Sequence, residues 1–195
     1  MNILCLYGSP MRKGNSAIMA NAFLDAAKDH GASVKTFDQY SLKYSGCTAC
    51  MACKTEVDLC IMKDDLSVVL DSIREVDVLV LAAPIYHGDV SAAMRAFVER
   101  THSFLGPGCG PLPGESRLDP GKKLVFVVAQ GYEEKKHKEV YPKYKNYFGW
   151  YGFDESYLLR TCEVIEPGEV REKCPDVLEE AKRLATEICG KGGSV

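Results

Sequence analysis

Apolar segments of strand length alternate with segments of helical period along this chain, and this alternation is what most restricts its fold. Strands are predicted for residues 3–7, 33–37, 76–82, 124–129 and 157–164. Helices are predicted for residues 16–29, 64–74, 91–104, about 133–147 and 175–189. Strands that are apolar on both faces belong to parallel sheets that helices cover on each side. We therefore predict an α/β fold, with a doubly wound five-stranded parallel sheet and helices on both faces.

Two segments interrupt the alternation. Residues at about 38–63 hold four cysteines, and residues at about 104–123 are rich in glycine and proline. We interpret the first as a cysteine-rich insertion and the second as an irregular surface loop, with a cover for the active site or a subunit contact as alternatives. A length of 195 residues suits one compact domain. We expect residues 1–195 to form that single domain.

The charge balance and the length of the apolar runs exclude several classes of protein. The 24 basic and 27 acidic residues leave a formal net charge of -3, which provides no cationic field for nucleic acid or anionic lipid. The longest apolar runs, residues 78–85 and 124–129, are far shorter than the ~20 residues of a membrane span. The first residues contain neither a basic leader nor a cleavage site. We expect a cytoplasmic protein without a membrane span or a nucleic-acid partner.

The segment between the first predicted strand and the first predicted helix, residues 8–16, has the features of a phosphate loop. Gly8 and Gly14 permit a tight turn with exposed N–H groups, and a helix N-terminus favours an anion. Further donors would come from Ser9, Arg12, Asn15 and Ser16. The spacing of the glycines does not match a Walker loop, and no dinucleotide fingerprint follows a strand. The loop predicts a site for a phosphate monoester, the alternative being a turn that only begins a helix.

A second strand-to-helix loop, residues 83–91, is expected to face the phosphate loop. In the flavodoxin-like winding, the first and third strands flank the crevice where ligands bind. Pro84 stiffens the loop, Tyr86 and His87 offer flat rings, and N–H groups near Gly88 could bond the polar edge of a ring. Packing or plain surface exposure is the alternative for the two rings. A flat heterocycle with one phosphate describes flavin mononucleotide (FMN), and a third loop, at Gln130 and Gly131, could approach it.

Nine cysteines are many for this chain, and an odd number favours metal binding or redox chemistry over a disulfide framework. Four of them are spaced C-x2-C-x2-C-x6-C: Cys47, Cys50, Cys53 and Cys60. A close triplet with a fourth thiolate suits a [4Fe-4S] cluster, with zinc and free or disulfide-forming thiols as alternatives. Cys5 and Cys162 are predicted to be core residues. Cys109, Cys174 and Cys189 are isolated, and no catalytic nucleophile is predicted.

The segments GSPMRKGNS and APIYHGDVSAAMRAFVER closely resemble the NAD(P)H-dependent FMN reductase superfamily, which has the flavodoxin-like fold, and the likeness spans nearly the whole chain. The resemblance implies that the first segment binds the FMN phosphate through Ser9, Arg12, Asn15 and Ser16. It implies that the second binds the isoalloxazine through Pro84, Ile85, Tyr86, His87 and Gly88. The cysteine segment looks like that of the iron-sulfur flavoproteins, which implies FMN, a [4Fe-4S] cluster, an anaerobic source and a homodimer or homotetramer.

We therefore expect an FMN-dependent oxidoreductase that moves electrons between a reduced donor and an acceptor, with FMN as cofactor and a [4Fe-4S] cluster as the second centre. NAD(P)H, a quinone or ferredoxin are the candidate partners. One alternative is a cluster-free NAD(P)H:quinone or flavin reductase. The other is a flavodoxin-like electron carrier without substrate turnover.

Overall fold

The structure, a computed structural model, describes residues 1–108 and 114–190. Cys109, and with it part of the predicted glycine- and proline-rich loop, lies outside the described residues. Within these ranges the chain forms six strands: β1 (Asn2–Tyr7), β2 (Ser33–Asp38), β3 (Val78–Tyr86), β4 (Asp89–Val90), β5 (Lys122–Ala129) and β6 (Phe153–Thr161). It forms seven α-helices there: α1 (Asn15–Asp29), α2 (Ala52–Thr55), α3 (Leu66–Arg74), α4 (Ala92–Arg100), α5 (Val140–Gly149), α6 (Val170–Lys173) and α7 (Pro175–Gly190). None of these described helices is both long and apolar enough to cross a bilayer.

Five of the strands form one parallel sheet in the order β2-β1-β3-β5-β6. Counted along the chain without β4, this is the order 2-1-3-4-5 of the flavodoxin-like fold. The two-residue strand β4 pairs antiparallel with the end of β3 and was not predicted. The predicted α/β class and its five parallel strands are confirmed.

The core lies on both faces of the sheet because successive residues of a strand point to opposite sides. In β1, Leu4 and Leu6 pack towards the apolar faces of α3, α4 and α5. Ile3 and Cys5 pack on the other side, towards α1 and α7. The side chains of the central strands β1, β3 and β5 are therefore almost wholly buried, whereas the edge strands β2 and β6 are partly exposed.

Several predicted boundaries were wrong, and left-handed backbone explains most of them. Strand β3 continues to Tyr86 because it forms a hairpin with β4 through His87 and Gly88, whose φ angles are 50° and 84°. The predicted loop at residues 83–91 is therefore strand over its first four residues. Helix α5 begins at Val140 instead of about residue 133, since His137 has a φ of 58° that a helix cannot contain. Strand β6 ends before Glu163, which also has a φ of 58°.

Candidate functional site

A cleft of about 220 Å³ lies at the carboxyl edge of the sheet, next to the ends of β1, β3 and β5. It brings together eight of the residues predicted to bind the cofactor: Ser9, Asn15, Ser16, Pro84, Ile85, Tyr86, Gln130 and Gly131. Six further residues line it that were not predicted to bind the cofactor, although Met11 and Gly14 belong to the predicted phosphate loop: Met11, Gly14, Ala129, Val164, Ile165 and Pro167. The carboxyl ends of parallel strands are where ligands bind in open α/β sheets. All three predicted loops therefore contribute to one cleft.

The phosphate loop ends on the N-terminus of α1. Gly14 is the N-cap, with extended backbone and no capping side chain, and no acidic residue lies in the first turn. The first N–H groups of a helix have no partner inside the helix, and its dipole adds partial positive charge there. The hydroxyl of Ser9 accepts from Met11 N at 3.1 Å, and Ser16 is buried at the wall of the cleft. The loop is thus arranged to hold an anion.

Gly8 allows this loop to pack closely on its neighbours. A Cβ atom at Gly8 would lie 2.9 Å from Gln39 Oε1 and 2.9 Å from Met94 Cε. Gly8 N donates to Ala82 O of β3 at 2.7 Å, which ties the start of the loop to the centre of the sheet. Glycine is therefore required at position 8 because a side chain there would clash with Gln39 and Met94, and not because of its backbone angles.

The side chain of Asn15 holds a distant segment of the chain. Its Oδ1 accepts from Gly168 N at 3.0 Å and from Val170 N at 3.1 Å, and its Nδ2 donates to Glu166 O at 3.0 Å. These three bonds use both acceptor positions of the carboxamide oxygen and one of its two N–H donors. Asn15 therefore joins the phosphate loop to residues 166–170, a function that the sequence did not predict.

Three predicted binding residues do not line the cleft: Arg12, His87 and Gly88. The side chain of Arg12 is 70% exposed, and its Nη2 forms an ion pair with Asp38 at 2.8 Å. His87 and Gly88 form the turn of the β3–β4 hairpin, and a Cβ on Gly88 would lie 3.4 Å from the ring of His137. The turn therefore packs against the segment that precedes α5.

The β3–β4 hairpin is anchored by the carboxylate of Asp89. It accepts from Lys143 Nζ at 2.6 Å, from Tyr144 Oη at 2.7 Å and from Val90 N at 2.8 Å. Partial burial acts to raise the pKa of Asp89, but these bonds outweigh it and hold the pKa below its usual value. The neighbouring Tyr86 is 41% exposed at the cleft, where burial of part of its ring raises the pKa of its hydroxyl.

Gln130 organises the third loop from inside the protein. Its Nε2 donates to Tyr132 O at 3.1 Å and to Glu133 O at 2.9 Å, and its Oε1 accepts from Arg160 Nη2 at 3.1 Å. The side chain is buried and positions residues 131–136 from beneath. Because its amide is engaged in this way, Gln130 offers the cleft its packing surface more than its polar atoms.

Residues 163–167 form a wall of the cleft that the sequence analysis missed. The carboxylate of Glu169 accepts from Ile165 N at 2.7 Å and from Glu166 N at 3.2 Å, while Val164 N donates to Gln130 O at 3.1 Å. Ile165 is 73% exposed at the rim. The available signal was the apolar pair Val164 and Ile165 just after the last strand, since that strand ends at the same edge of the sheet.

A second cavity, of about 200 Å³, is lined by all four cysteines of the predicted motif: Cys47, Cys50, Cys53 and Cys60. We call it the cysteine cavity. Cys47 and Cys50 are exposed and the other two are half-buried, and burial raises the pKa of the Cys53 thiol. Among residues 1–108 and 114–190, no group of three or more His, Cys, Asp or Glu side chains lies close enough to hold a metal ion. The thiols therefore surround a space instead of meeting at one point.

The backbone beside these thiols is unusual. Ala49 and Met51 have φ angles of 54° and 61°, and Ala49 N donates to Cys47 Sγ at 3.4 Å. Alternation of left- and right-handed residues makes concave arrays of N–H groups, which occur at phosphate and iron–sulfur sites. Left-handed residues therefore lie on both sides of Cys50, inside the four-cysteine motif.

Helix α4 connects the two cavities. The hydroxyl of its N-cap, Ser91, donates to Gly8 O at 2.5 Å and accepts from Met94 N at 3.3 Å. Arg100, the last residue of α4, lines the cysteine cavity. At 1.5 Å per residue this helix is about 14 Å long. The cleft and the cysteine cavity thus lie near opposite ends of one helix.

The order of the sheet, the anion-favouring start of α1 and the cleft beside it define the class, a flavodoxin-like α/β protein with a ligand cleft at the carboxyl edge of its sheet. The family model described as NADPH-dependent FMN reductase matches residues 1–146, which is most of the chain. The protein belongs to that family, as the resemblance implied.

Curated relatives carry the name iron-sulfur flavoprotein. One from Archaeoglobus fulgidus is 31% identical over 100 residues, which are 51% of this chain and 45% of the relative. One from Methanosarcina thermophila is 31% identical over 101 residues, 52% of each chain. The chain thus spans about half the length of the curated relatives it matches.

Solved structures confirm the fold. An NAD(P)H:quinone oxidoreductase from Methanothermobacter marburgensis has a TM-score of 0.75 at 16% identity, over 96% of each chain. An FMN-dependent NADH-azoreductase from Bacillus anthracis has a TM-score of 0.68 at 12% identity, over 96% of this chain and 99% of that one. A flavodoxin from the domain Archaea has a TM-score of 0.59 at 16% identity, over 98% of each. At such low identities the likeness shows the fold alone.

Proposed function

We propose that this protein is an FMN-dependent oxidoreductase that moves electrons between a reduced donor and an acceptor, with a [4Fe-4S] cluster as its second centre. The observation that carries the proposal is the convergence of three strand-end loops on one cleft that begins at the open N-terminus of α1. NAD(P)H as donor and a quinone as acceptor belong to the same proposal, supported by the description of the family and by the name of a structural neighbour. Ferredoxin as the other acceptor, and assembly as a homodimer or homotetramer, belong to it on the resemblance to the iron-sulfur flavoproteins.

The residues of the cleft fit FMN. The N–H groups of the first turn of α1, with the hydroxyls of Ser9 and Ser16, would hold the phosphate. A Cβ at Gly14 would lie 3.0 Å from Met11 O, so a larger residue would crowd the cradle. Arg12 would have to leave Asp38 before it could reach the phosphate. Asn15 would act on the site by holding residues 166–170 in place.

The isoalloxazine would occupy the apolar part of the cleft, bounded by Pro84, Ile85 and Tyr86 on one side and by Gly131 and Ile165 on the other. Gln130, His87 and Gly88 would support these walls by shaping the loops behind them. When bound, FMN would supply an acceptor for two electrons that can release them singly. The protein would orient the ring and exclude water from it.

The cysteine cavity fits a cluster of several atoms better than a single zinc ion. In a zinc site the four sulfurs lie about 2.3 Å from one ion and so close on one another, whereas these thiols line a cavity of about 200 Å³. Cys47, Cys50, Cys53 and Cys60 would be the ligands. Thiolates that must stay reduced for this suit a reducing compartment, which supports a cytoplasmic location.

A cluster-free NAD(P)H:quinone or flavin reductase is the second candidate. The exposure of Cys47 and Cys50 favours it, as does the lack of a preformed metal site in the described ranges. In that case the four thiols would be structural or redox-sensitive groups.

The test is to purify the protein without oxygen, reconstitute it with FMN, iron and sulfide, and measure all three per chain. We expect one FMN and four each of iron and sulfide, as a [4Fe-4S] cluster requires. FMN alone would support the second candidate, and bound zinc would contradict the cluster. Steady-state turnover with NAD(P)H and a quinone would separate an enzyme from a simple electron carrier.

The phosphate assignment has its own test. Ser16→Ala should weaken FMN binding by about tenfold or more, because a hydrogen bond to a charged group contributes about 1.5–3 kcal/mol. Ser33→Ala, on the exposed start of β2, is the matched control and should bind FMN like the wild type. Equal affinities for all three proteins, measured by fluorescence titration, would contradict the proposed FMN site.

A further inference from the structure

We infer that Arg100 is a positioning residue that holds Cys60 and raises the reduction potential of the iron–sulfur cluster. This inference rests on the cluster proposed above. It concerns a residue outside the cysteine motif, and the contact that suggests it joins the end of α4 to the cysteine segment.

Arg100 is 1% exposed, and all five of its N–H groups have acceptors. Its Nη1 and Nη2 grip the carboxylate of Asp64, at 2.7 Å to Oδ2 and 3.3 Å to Oδ1. They also donate to Ser45 O and Met62 O, both at 3.1 Å. The fifth donor, Nε, lies 3.1 Å from Cys60 Sγ. The guanidinium therefore joins Ser45 and Met62, which lie on either side of the four cysteines, and directs one N–H at the Cys60 thiol.

The bond to sulfur is separate from the bonds that neutralise the charge. A buried cation must be paired, and the fork with Asp64 does that. Pairing with Asp64 uses the two terminal nitrogens and leaves Nε free for sulfur. Because Arg100 and Asp64 together carry no net charge, their effect on a nearby cluster comes mainly from this directed bond.

An N–H donor at a cysteine sulfur favours the reduced state of a cluster. One-electron reduction of a cluster held here would add negative charge, which its cysteine ligands would share. The bond from Nε strengthens as that charge grows, and hydrogen bonds to sulfur are among the factors that set cluster potentials. The bond should therefore raise the potential, and it should fix Cys60, which stands apart from the triplet of cysteines.

The inference is tested on the reconstituted protein with three variants. Arg100→Lys keeps the positive charge beside Asp64 but loses the N–H fork. The double variant Arg100→Met with Asp64→Asn removes the bond to sulfur and leaves the local net charge unchanged. Arg95→Gln, a half-exposed arginine on the same helix, is the control for loss of a charge without loss of a bond to Cys60. Iron, sulfide, FMN and the potential under dithionite titration with mediators are measured for each.

We expect the double variant to lower the equilibrium constant for reduction of the cluster by about tenfold, which is 59 mV for a one-electron couple. Arg100→Lys should shift the potential in the same direction, and Arg95→Gln should match the wild type. Loss of iron from the Arg100 variants with FMN and fold retained would support the positioning role. Variants with full iron and sulfide and an unchanged potential would overturn the inference.

A measurement on the wild type covers the case in which the variants do not fold. With arginine labelled by ¹⁵N, the reduced cluster should show a ¹⁵N hyperfine coupling in pulsed electron paramagnetic resonance. A reduced cluster without that coupling would overturn the inference about Arg100, while the assignment of the cluster itself would be supported. A wild type that binds FMN but no iron or sulfide would instead remove the cluster itself, and the two failures are thereby distinguished.

Discussion

Three buried polar side chains, Asn15, Gln130 and Arg100, use their hydrogen-bonding groups to hold distant parts of the chain together. Asn15 bonds to residues 166–170, and Gln130 bonds to the backbone of residues 132 and 133. Arg100 bonds to Cys60 and to residues on either side of the four cysteines. Two of them were predicted to touch the cofactor directly. A buried amide is costly without partners, and the partners nearest to these amides belong to the protein. In the structure Asn15 and Gln130 bond to the loops that form the cleft, and their contact with the cofactor stays a prediction.

A substitution at Asn15 distinguishes a direct contact with the FMN phosphate from a role in holding residues 166–170. Asn15→Ala leaves two N–H groups and one carbonyl of residues 166–170 without their partner, and should lower the free energy of unfolding of the FMN-free protein by about 1–3 kcal/mol. FMN affinity should fall as well, because the loop with Ile165 is released. Asn146→Ala, exposed on α5, is the control in urea unfolding. A loss of FMN affinity with unchanged stability would show that Asn15 donates to the phosphate, as the sequence predicted.

Gln39 presents the opposite situation, a buried carboxamide for which the described residues provide no hydrogen-bond partner. It packs against the phosphate loop at Gly8. Gln39→Met removes the unpaired groups at similar length and should raise the free energy of unfolding by about 1 kcal/mol. Gln39→Glu should lower it, because it places a carboxylate in the same space. A destabilised Gln39→Met protein in urea unfolding would mean that the amide has a partner, such as an ordered water.

The β3–β4 hairpin depends on one carboxylate. Asp89 joins it to α5 through Lys143 and Tyr144 and has a lowered pKa. The stabilisation that such a group provides is complete above the pKa of about 3.9 that aspartate has in unfolded chains, and it is lost as the pH falls through the lower folded value. The hairpin carries Tyr86 into the cleft, so its anchor matters to the site.

The lowered pKa of Asp89 makes the stability of the protein depend on pH. The difference in free energy of unfolding between the wild type and Asp89→Asn should be constant near neutral pH and should shrink below about pH 4. Asp25→Asn, which removes only an exposed ion pair on α1, is the control and should change the free energy of unfolding little. The measurement is urea unfolding at a series of pH values. A difference for Asp89→Asn that does not change on acidification would contradict the function of the anchor.

Helix α4 connects the cleft and the cysteine cavity, which share no lining residue. It begins with Ser91 against Gly8 and ends with Arg100 against Cys60. Because about 14 Å of helix separates these ends, loss of the ligand at one end should leave the other site intact.

Removal of a cysteine ligand tests that separation. Cys53→Ala should lose most iron and sulfide and should keep one FMN per chain with nearly unchanged affinity. Cys189→Ser, on α7 and away from the cysteine cavity, should keep both the iron and the FMN. Metal analysis and flavin absorbance decide the result. If the Cys53 variant retains full iron, the cysteine motif is not the cluster site.

The sequence of this protein was sufficient to predict the parallel sheet and to place the loop at residues 8–16 beside the cleft, because both follow from patterns of neighbouring residues. Apolar periodicity identified five strands, and the glycines and serines between β1 and α1 indicated a loop that lines the cleft. Phosphate binding by that loop stays a prediction. The short strand β4 and the start of α5 were not predicted. Both depend on left-handed backbone at His87 and His137, which are residues that adopt it less often than glycine.

Tertiary structure alone decided how the loops are held and what closes the cleft. Asn15 lies 151 residues from Glu166, and Arg100 lies 40 residues from Cys60. No local pattern indicates such pairs, because a polar side chain selects its partner from whatever the folded chain brings within hydrogen-bond distance. Residues 163–167 became a wall of the cleft for the same reason: β6 ends beside β5, and the sheet places the next segment at the carboxyl edge.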